Sequence, residues 1–149
     1  MISNIKIINY HIDIAKEIEK ISPVQEAGGV VSFQGYVRLA GERGELLAME
    51  LEHYPGMTEQ ALQAIVEEAG RRWPLLAATV IHRVGRLSPG DLIVLVATAA
   101  THRAPAFEAA EFIMDYLKTR APFWKKEVTA TGEYWVEARE RDELAAGRW

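Results

Sequence analysis

Apolar residues recur at two different periods along this chain, and the switch between them divides it into strands and helices. Ile5 to Tyr10 predicts a short strand, and Asp13 is placed to cap a helix whose Ile14, Ile18 and Ile21 recur on one face before Pro23. Gly28 to Arg38 predicts a buried strand, with Gly35 inside it marking a bulge or a close backbone approach. Leu47, Met49 and Leu51 alternate with Ala48, Glu50 and Glu52, the pattern of a strand with one wet face. Pro55-Gly56 makes a tight turn. Thr58 then caps a helix that buries Ala61, Leu62, Ile65, Val66, Ala69 and Trp73 and stops at Pro74.

The second half continues the alternation. Thr79 to Val84 predicts a strand, Ser88-Pro89-Gly90-Asp91 a turn, and Leu92 to Ala100 the most apolar strand of the chain. Pro105 opens a helix that runs to about Arg120 and must end before Pro122, with Phe107, Ala110, Met114 and Leu117 as its buried stripe. Trp124 to Thr129 and Tyr134 to Ala138 flank Ala130-Thr131-Gly132-Glu133 as a hairpin. In an extended segment Lys125 and Glu127 share a face while Lys126 points the other way. Strands in adjacent pairs, interrupted by about three helices, predict an α+β fold with largely antiparallel sheet in one domain, 1–149.

Composition narrows the class. A chain of 149 residues with 49% hydrophobic and 26% charged residues has an ordinary globular balance. No apolar run reaches the length of a membrane span and Met1 to Lys6 does not read as a signal peptide, so a cytoplasmic location without membrane attachment is expected. The absence of cysteine excludes disulfides, thiolate metal sites and chemistry on the protein's own thiol. His11, His53, His82 and His102 show no metal-ligand spacing, and neither a metal nor a cofactor is expected. An acidic pI of 5.6 and the lack of a basic stripe interleaved with aromatics disfavour nucleic acid.

Against a net charge of -4, one segment gathers cations: His102, Arg103, Lys118, Arg120, Lys125 and Lys126, followed by Glu127. Such a local excess suits an anionic ligand. His102 and Arg103 stand at a helix start, where free N–H groups and the helix dipole favour an anion and a guanidinium adds a bidentate grip. Lys118 falls at the edge of the buried stripe, beside Glu111 and Asp115. One reading is structural, a stem laid over apolar surface with its charge complementing the helix C-terminus. The other is chemical: partial desolvation, with Arg120, Lys125 and Lys126 nearby, lowers its pKa and frees an amine for nucleophilic or general-base work.

Several longer motifs bear on that choice. Gly35-Tyr36-Val37-Arg38, Leu51-Glu52-His53-Tyr54-Pro55-Gly56-Met57-Thr58-Glu59, His82-Arg83-Val84-Gly85, Pro89-Gly90-Asp91, Phe107-Glu108-Ala109 and the run from Met114 to Glu127 resemble the catalytic (large) subunits of molybdopterin synthase. Trp135 to Arg139 matches as well, so the resemblance extends from about Gly28 to Trp149 in the family's order. It departs at Tyr36, where the family commonly has lysine or a small residue, and at Leu39-Ala40-Gly41-Glu42, where an Asn-His-Asn-like segment is frequent.

The resemblance implies a hammerhead-like α/β arrangement and a sulfurtransferase of molybdenum cofactor biosynthesis. Sulfur would arrive as a thiocarboxylate on the C-terminal Gly-Gly tail of a small ubiquitin-like partner and pass to cyclic pyranopterin monophosphate, forming the dithiolene. A homodimer within a heterotetramer is implied too. Carried over by position, Lys118 and Lys125 are the expected catalytic residues. Tyr36, Val37, Arg38, His102, Arg103, Lys126, Glu127 and Arg139 join the two lysines as expected substrate contacts. Arginines suit a phosphate through planar multidentate donation, and lysines suit the reacting end. The competing expectation is a noncatalytic phosphate- or partner-binding module on the same fold.

Overall fold

Leu92–Ala100, the most apolar run, is continuously buried from Val94 onward because helices cover both faces of the sheet it centres. The protein is described here from a computed structural model that covers residues 1–21, 25–137 and 140–149. In chain order the elements are β1 (Ile2–Ile8), α1 (Ile14–Ile21), β2 (Gly29–Tyr36), β3 (Ala40–Gly41), β4 (Gly44–Glu45), β5 (Ala48–His53) and α2 (Met57–Arg72). Then follow β6 (Leu75–Arg83), β7 (Gly85–Leu87), β8 (Leu92–Ala100), α3 (Arg103–Arg120), β9 (Phe123–Thr129), β10 (Gly132–Val136) and α4 (Glu140–Gly147).

One sheet has the order β1-β6-β8-β2, parallel only between β1 and β6; the other has the order β10-β9-β5-β7 and is antiparallel throughout. This is the expected α+β class. α2 and α3 lie on one face of the first sheet, where Val66, Ala69, Phe112 and Ile113 meet Val80, Val96 and Ala100. On the other face Ile21 of α1 meets Ala77, Ala97 and Ala99. A second apolar cluster, Val37, Leu46, Met49, Leu51 and Leu87, is built around the other sheet. No helix among the described residues is long and apolar enough to cross a membrane.

Several expectations need correction. β2 is an edge strand and not a buried one, leaving Val30, Phe33 and Tyr36 exposed. The buried face of α3 is Ala106, Ala109, Ala110, Phe112, Ile113, Tyr116 and Leu117, whereas Phe107 is 60% exposed. Three alanines let this helix lie close on β8, where the Thr98 hydroxyl donates to the Ala106 carbonyl at 2.7 Å. Thr58 lies inside α2; the cap is Gly56, whose N–H donates to Glu59 Oε2 at 3.0 Å. α4 is a fourth helix. It is followed by Trp149, which packs on Trp73 and Phe112, its indole N–H donating to Asp115.

Among the glycines, Gly28 leaves the least room for a side chain. Its N–H donates to Ala100 O at 3.0 Å, and a Cβ there would stand 2.0 Å from Thr101 O. That junction starts the pairing of β2 with β8 and leads into α3. Gly28→Ala is therefore expected to lower stability by about 1–3 kcal/mol, read as a lower urea midpoint at unchanged m-value. An unaltered midpoint would show that the junction relaxes freely.

Candidate active site

Where the two sheets meet the last turn of α3, they enclose a cavity of about 510 Å³. β9 supplies Phe123, Lys125 and Glu127; α3 supplies Met114, Leu117 and Lys118; the end of β2 supplies Phe33, Tyr36 and, just beyond it, Arg38. The two-residue period of β9 selects its contribution. Lys125 and Glu127, paired with Leu51 and Met49 of β5, face the cavity.

Lys126 faces the other way. Arg86, Glu50, Lys126 and Trp135 form a row across four strands, and Lys126 Nζ lies 3.3 Å from Glu50, 3.5 Å from Glu133 and 5.0 Å from the Trp135 ring centroid. Lys126 and Arg86 hold the Glu50 carboxyl below its ordinary value. This lysine is expended on the outer face of the sheet.

Tyr36 and Arg38 reach the cavity because the chain between them is anchored. Val37 is 3% exposed, sits in the apolar cluster of the second sheet and exchanges backbone bonds with Asp91 and Gly90 at 2.9 and 2.8 Å. It does not line the cavity; its two neighbours do. A bulge between Gly35 and Tyr36 makes the turn, and a Cβ at Gly35 would meet Val94 Cγ1 at 2.9 Å.

Glu127 is 4% exposed, and its Oε1 accepts the Glu42 N–H at 3.1 Å. A Cβ at Gly41 would lie 2.5 Å from the same oxygen. The carboxylate thus grips the segment after Arg38, the one that departs from the family pattern, and a side chain at Gly41 would have to displace it.

His82 was not among the residues singled out, yet it lines the cavity. Its ring stacks on Phe123 at 3.9 Å, and Nδ1 lies 2.8 Å from Arg83 O. A carbonyl accepts only, so Nδ1 carries the proton and Nε2 keeps its lone pair. Burial pushes the imidazole pKa down to about 3, and the charges of Lys118 and Lys125 oppose protonation further. A neutral ring that shares the cavity with two lysines was visible in the sequence only as part of a motif that reads as a strand.

Other expected contacts lie elsewhere. His102 and Arg103 begin α3 and do not line the cavity. Fifteen residues of helix, about 22 Å, separate Arg103 from Lys118. Arg120 covers the Tyr116 ring at 3.7 Å, and Glu111 and Asp115 are bound by Arg148, so none of the three attends Lys118. Arg139 lies outside the described residues. Arg141, at the start of α4, does line the cavity and was missed. Among the described residues the side chains of Arg38, Lys118 and Arg141 make no ion pair or hydrogen bond, so three cations are left available to an anion between apolar walls.

The MoaE protein family model matches residues 7–120. The molybdopterin synthase catalytic subunit of Cereibacter sphaeroides is 65% identical over 83% of this chain and 83% of that protein. The Escherichia coli subunit of the same name is 56% identical over 91% of each. The solved structure of a molybdopterin biosynthesis MoaE protein from Burkholderia ambifaria superposes with a TM-score of 0.85 at 50% identity, covering 99% of this chain and 98% of that one.

The buried imidazole predicts a pH effect. Its folded pKa of about 3 lies below the ordinary 6.5, so the unfolded chain takes up the proton first. The stability contributed by the neutral ring is complete above pH 6.5 and is lost progressively as pH falls toward 3. Between these limits the parent should lose up to about 1.4 kcal/mol per pH unit more than His82→Gln. Urea unfolding of both proteins at several pH values measures the difference. Parallel curves would mean that the ring charges freely in place.

Proposed function

The chain belongs to the MoaE protein family, and from that membership we propose that its cavity is the site of sulfur transfer to cyclic pyranopterin monophosphate. The enzyme is a molybdopterin synthase catalytic subunit, a sulfurtransferase of molybdenum cofactor biosynthesis. The donor in this reading is the thiocarboxylate at the Gly-Gly end of a small ubiquitin-like partner. The observation that carries the site is the convergence of Lys118 and Lys125 on one half-apolar cavity from two different elements. A cysteine-free chain fits a reaction whose sulfur arrives on another molecule.

Charge sets the first requirement. The substrate phosphate and the thiocarboxylate are both anions, and at about 5 Å in a medium of effective dielectric 20 they repel by about 3 kcal/mol. Arg38, Lys118 and Lys125 offset this, with the guanidinium suited to the phosphate and the lysines to the reacting end. The thiocarboxylate sulfur bonds to a pterin side-chain carbon as a C–O bond of that carbon breaks, its oxygen leaving as water or on the phosphate, which gives an acyl thioester between partner and substrate; a second thiocarboxylate repeats the step at the adjacent carbon. Cleavage of the acyl C–S bond, by water or by the Lys118 amine, leaves sulfur on the pterin. Lys118 stabilises the oxyanion formed on the way or accepts the acyl group itself. His82 Nε2 offers a fixed acceptor in the cavity that the lysines share, and Glu127 holds the segment that follows Arg38.

The whole chain, 1–149, is read as one such domain acting in the cytoplasm, as a homodimer that takes one small partner per subunit. Two observations support the dimer. β2 leaves an unpaired edge with Val30, Phe33 and Tyr36 exposed. His102 and Arg103 also stand too far along α3 to serve their own chain's cavity, so a role in substrate binding requires that they reach the cavity of a second copy.

Lys118 is exposed on a helix, and alanine is a good helix former. Lys118→Ala should leave the circular dichroism spectrum and partner affinity intact while lowering dithiolene formation by at least about a hundredfold. A folded variant with substantial activity would favour the noncatalytic binding module. Intact mass spectrometry after turnover separates the two roles of the lysine, since only the covalent one leaves the partner attached. For the dimer, Lys118→Ala and Arg103→Ala are each expected to be inactive alone and to regain part of the activity as purified hybrids, which reunite one intact site. Hybrids as inactive as either parent would remove Arg103 from the site.

A further inference from the structure

We propose that Arg141 is an additional anion contact of the cavity, one that binds the phosphate group of the substrate. Its ligand class rests on the sulfur-transfer reading above; its placement does not. Arg141 lines the same cavity as Arg38 and Lys118 and, among the described residues, its side chain makes no ion pair or hydrogen bond. Elsewhere Lys6 and Lys20 hold Glu17, Arg71 and Arg72 hold Glu68, Arg86 and Lys126 hold Glu50, and Arg148 holds Glu111 and Asp115, whereas Arg141 pairs with neither Glu137 nor Asp142, although both line the same cavity.

Its position in the helix strengthens the case. Arg141 is the second residue of α4, where the positive end of the helix dipole disfavours a cation, and its neighbours Glu140, Asp142 and Glu143 are of the sign the dipole favours. The arginine therefore works against helix stability where it stands. Glu137 and Asp142 also line the cavity, and without cations among its lining they would repel a phosphate. The guanidinium supplies planar paired donors that match phosphate oxygens, and as part of a helix it is held more firmly than a loop residue. The thiocarboxylate has a different requirement, since it must end at Lys118 and Lys125.

The test compares Arg141→Ala and Arg141→Lys with the parent by separate titrations of cyclic pyranopterin monophosphate and of the small partner, followed by turnover. The alanine variant should bind the pterin about tenfold more weakly and raise its KM more than it lowers kcat, with partner affinity unchanged. The lysine variant should recover part of the loss, because it restores charge but not the fork. Removing the cation should also leave the urea midpoint unchanged or slightly raised. Unaltered pterin affinity would overturn the proposal, and so would a loss confined to partner binding, which would assign Arg141 to the docking surface. A parent protein that bound both ligands but made no dithiolene would refute the sulfur-transfer reading, while the pterin titration still scored Arg141.

Discussion

The hydroxyl of Thr58 holds the corner on which the site depends. It is fully buried at the start of α2, accepts the Tyr54 N–H at 2.9 Å and donates to the Pro122 carbonyl at 2.9 Å. Pro122 separates the end of α3 from the start of β9. The helix carries Lys118 and the strand carries Lys125, so the angle between these elements determines whether two lysines seven positions apart can share a ligand. A proline in the link removes one N–H and restricts the backbone before it, but cannot by itself set the direction of the strand. The threonine supplies that from a third element. Because it satisfies one buried donor and one buried acceptor at once, its loss would strand both.

Downstream of this corner, register takes over. β9 pairs with β5 so that Lys125 lies across from Leu51 and Glu127 across from Met49, both partners belonging to the second apolar cluster. A slip of one residue would bury Lys126 and turn Lys125 and Glu127 to solvent. The outer row Arg86, Glu50, Lys126, Trp135 opposes that slip, because its charges alternate only in the native register. Lys126 thereby serves the site without touching it.

This division of labour marks how far the sequence could be read. The strict alternation of Lys125, Lys126 and Glu127 was legible, since a period of two leaves no other choice, and so was β8, whose length and apolarity match a strand covered on both faces. The phase of α3 was not. Ala106, Ala109 and Ala110 carry little hydrophobic contrast, so the larger Phe107 and Met114 drew the stripe off its true centre. α4 escaped notice because only Ala146 of its residues is buried, which gives no periodic signal. His102 and Arg103 were grouped with Lys118 because they share a helix, although a helix of 18 residues separates its ends by more than a ligand can span. Arg141 and His82 required the tertiary structure, since neither has a sequence neighbour that betrays the cavity.

The remaining question is how an acidic protein attracts two anions to one place. Net charge is unfavourable at -4, but the field a ligand meets is set by which charges are already neutralised. Several lysines and arginines of the surface are locked to glutamates and aspartates, and such pairs present little field beyond a Debye length. At the cavity Arg38, Lys118 and Arg141 are not so locked, while the buried His82 stays neutral and adds no repulsion toward the lysines. Apolar walls from Phe33, Met114 and Leu117 lower the local dielectric and strengthen what charge remains. The convergence of these cations between apolar walls is thus what makes the cavity the favourable place for an anion, and a count of basic residues along the sequence, blind to that convergence, points to Lys126 and Arg120 as readily as to the residues that face the ligand.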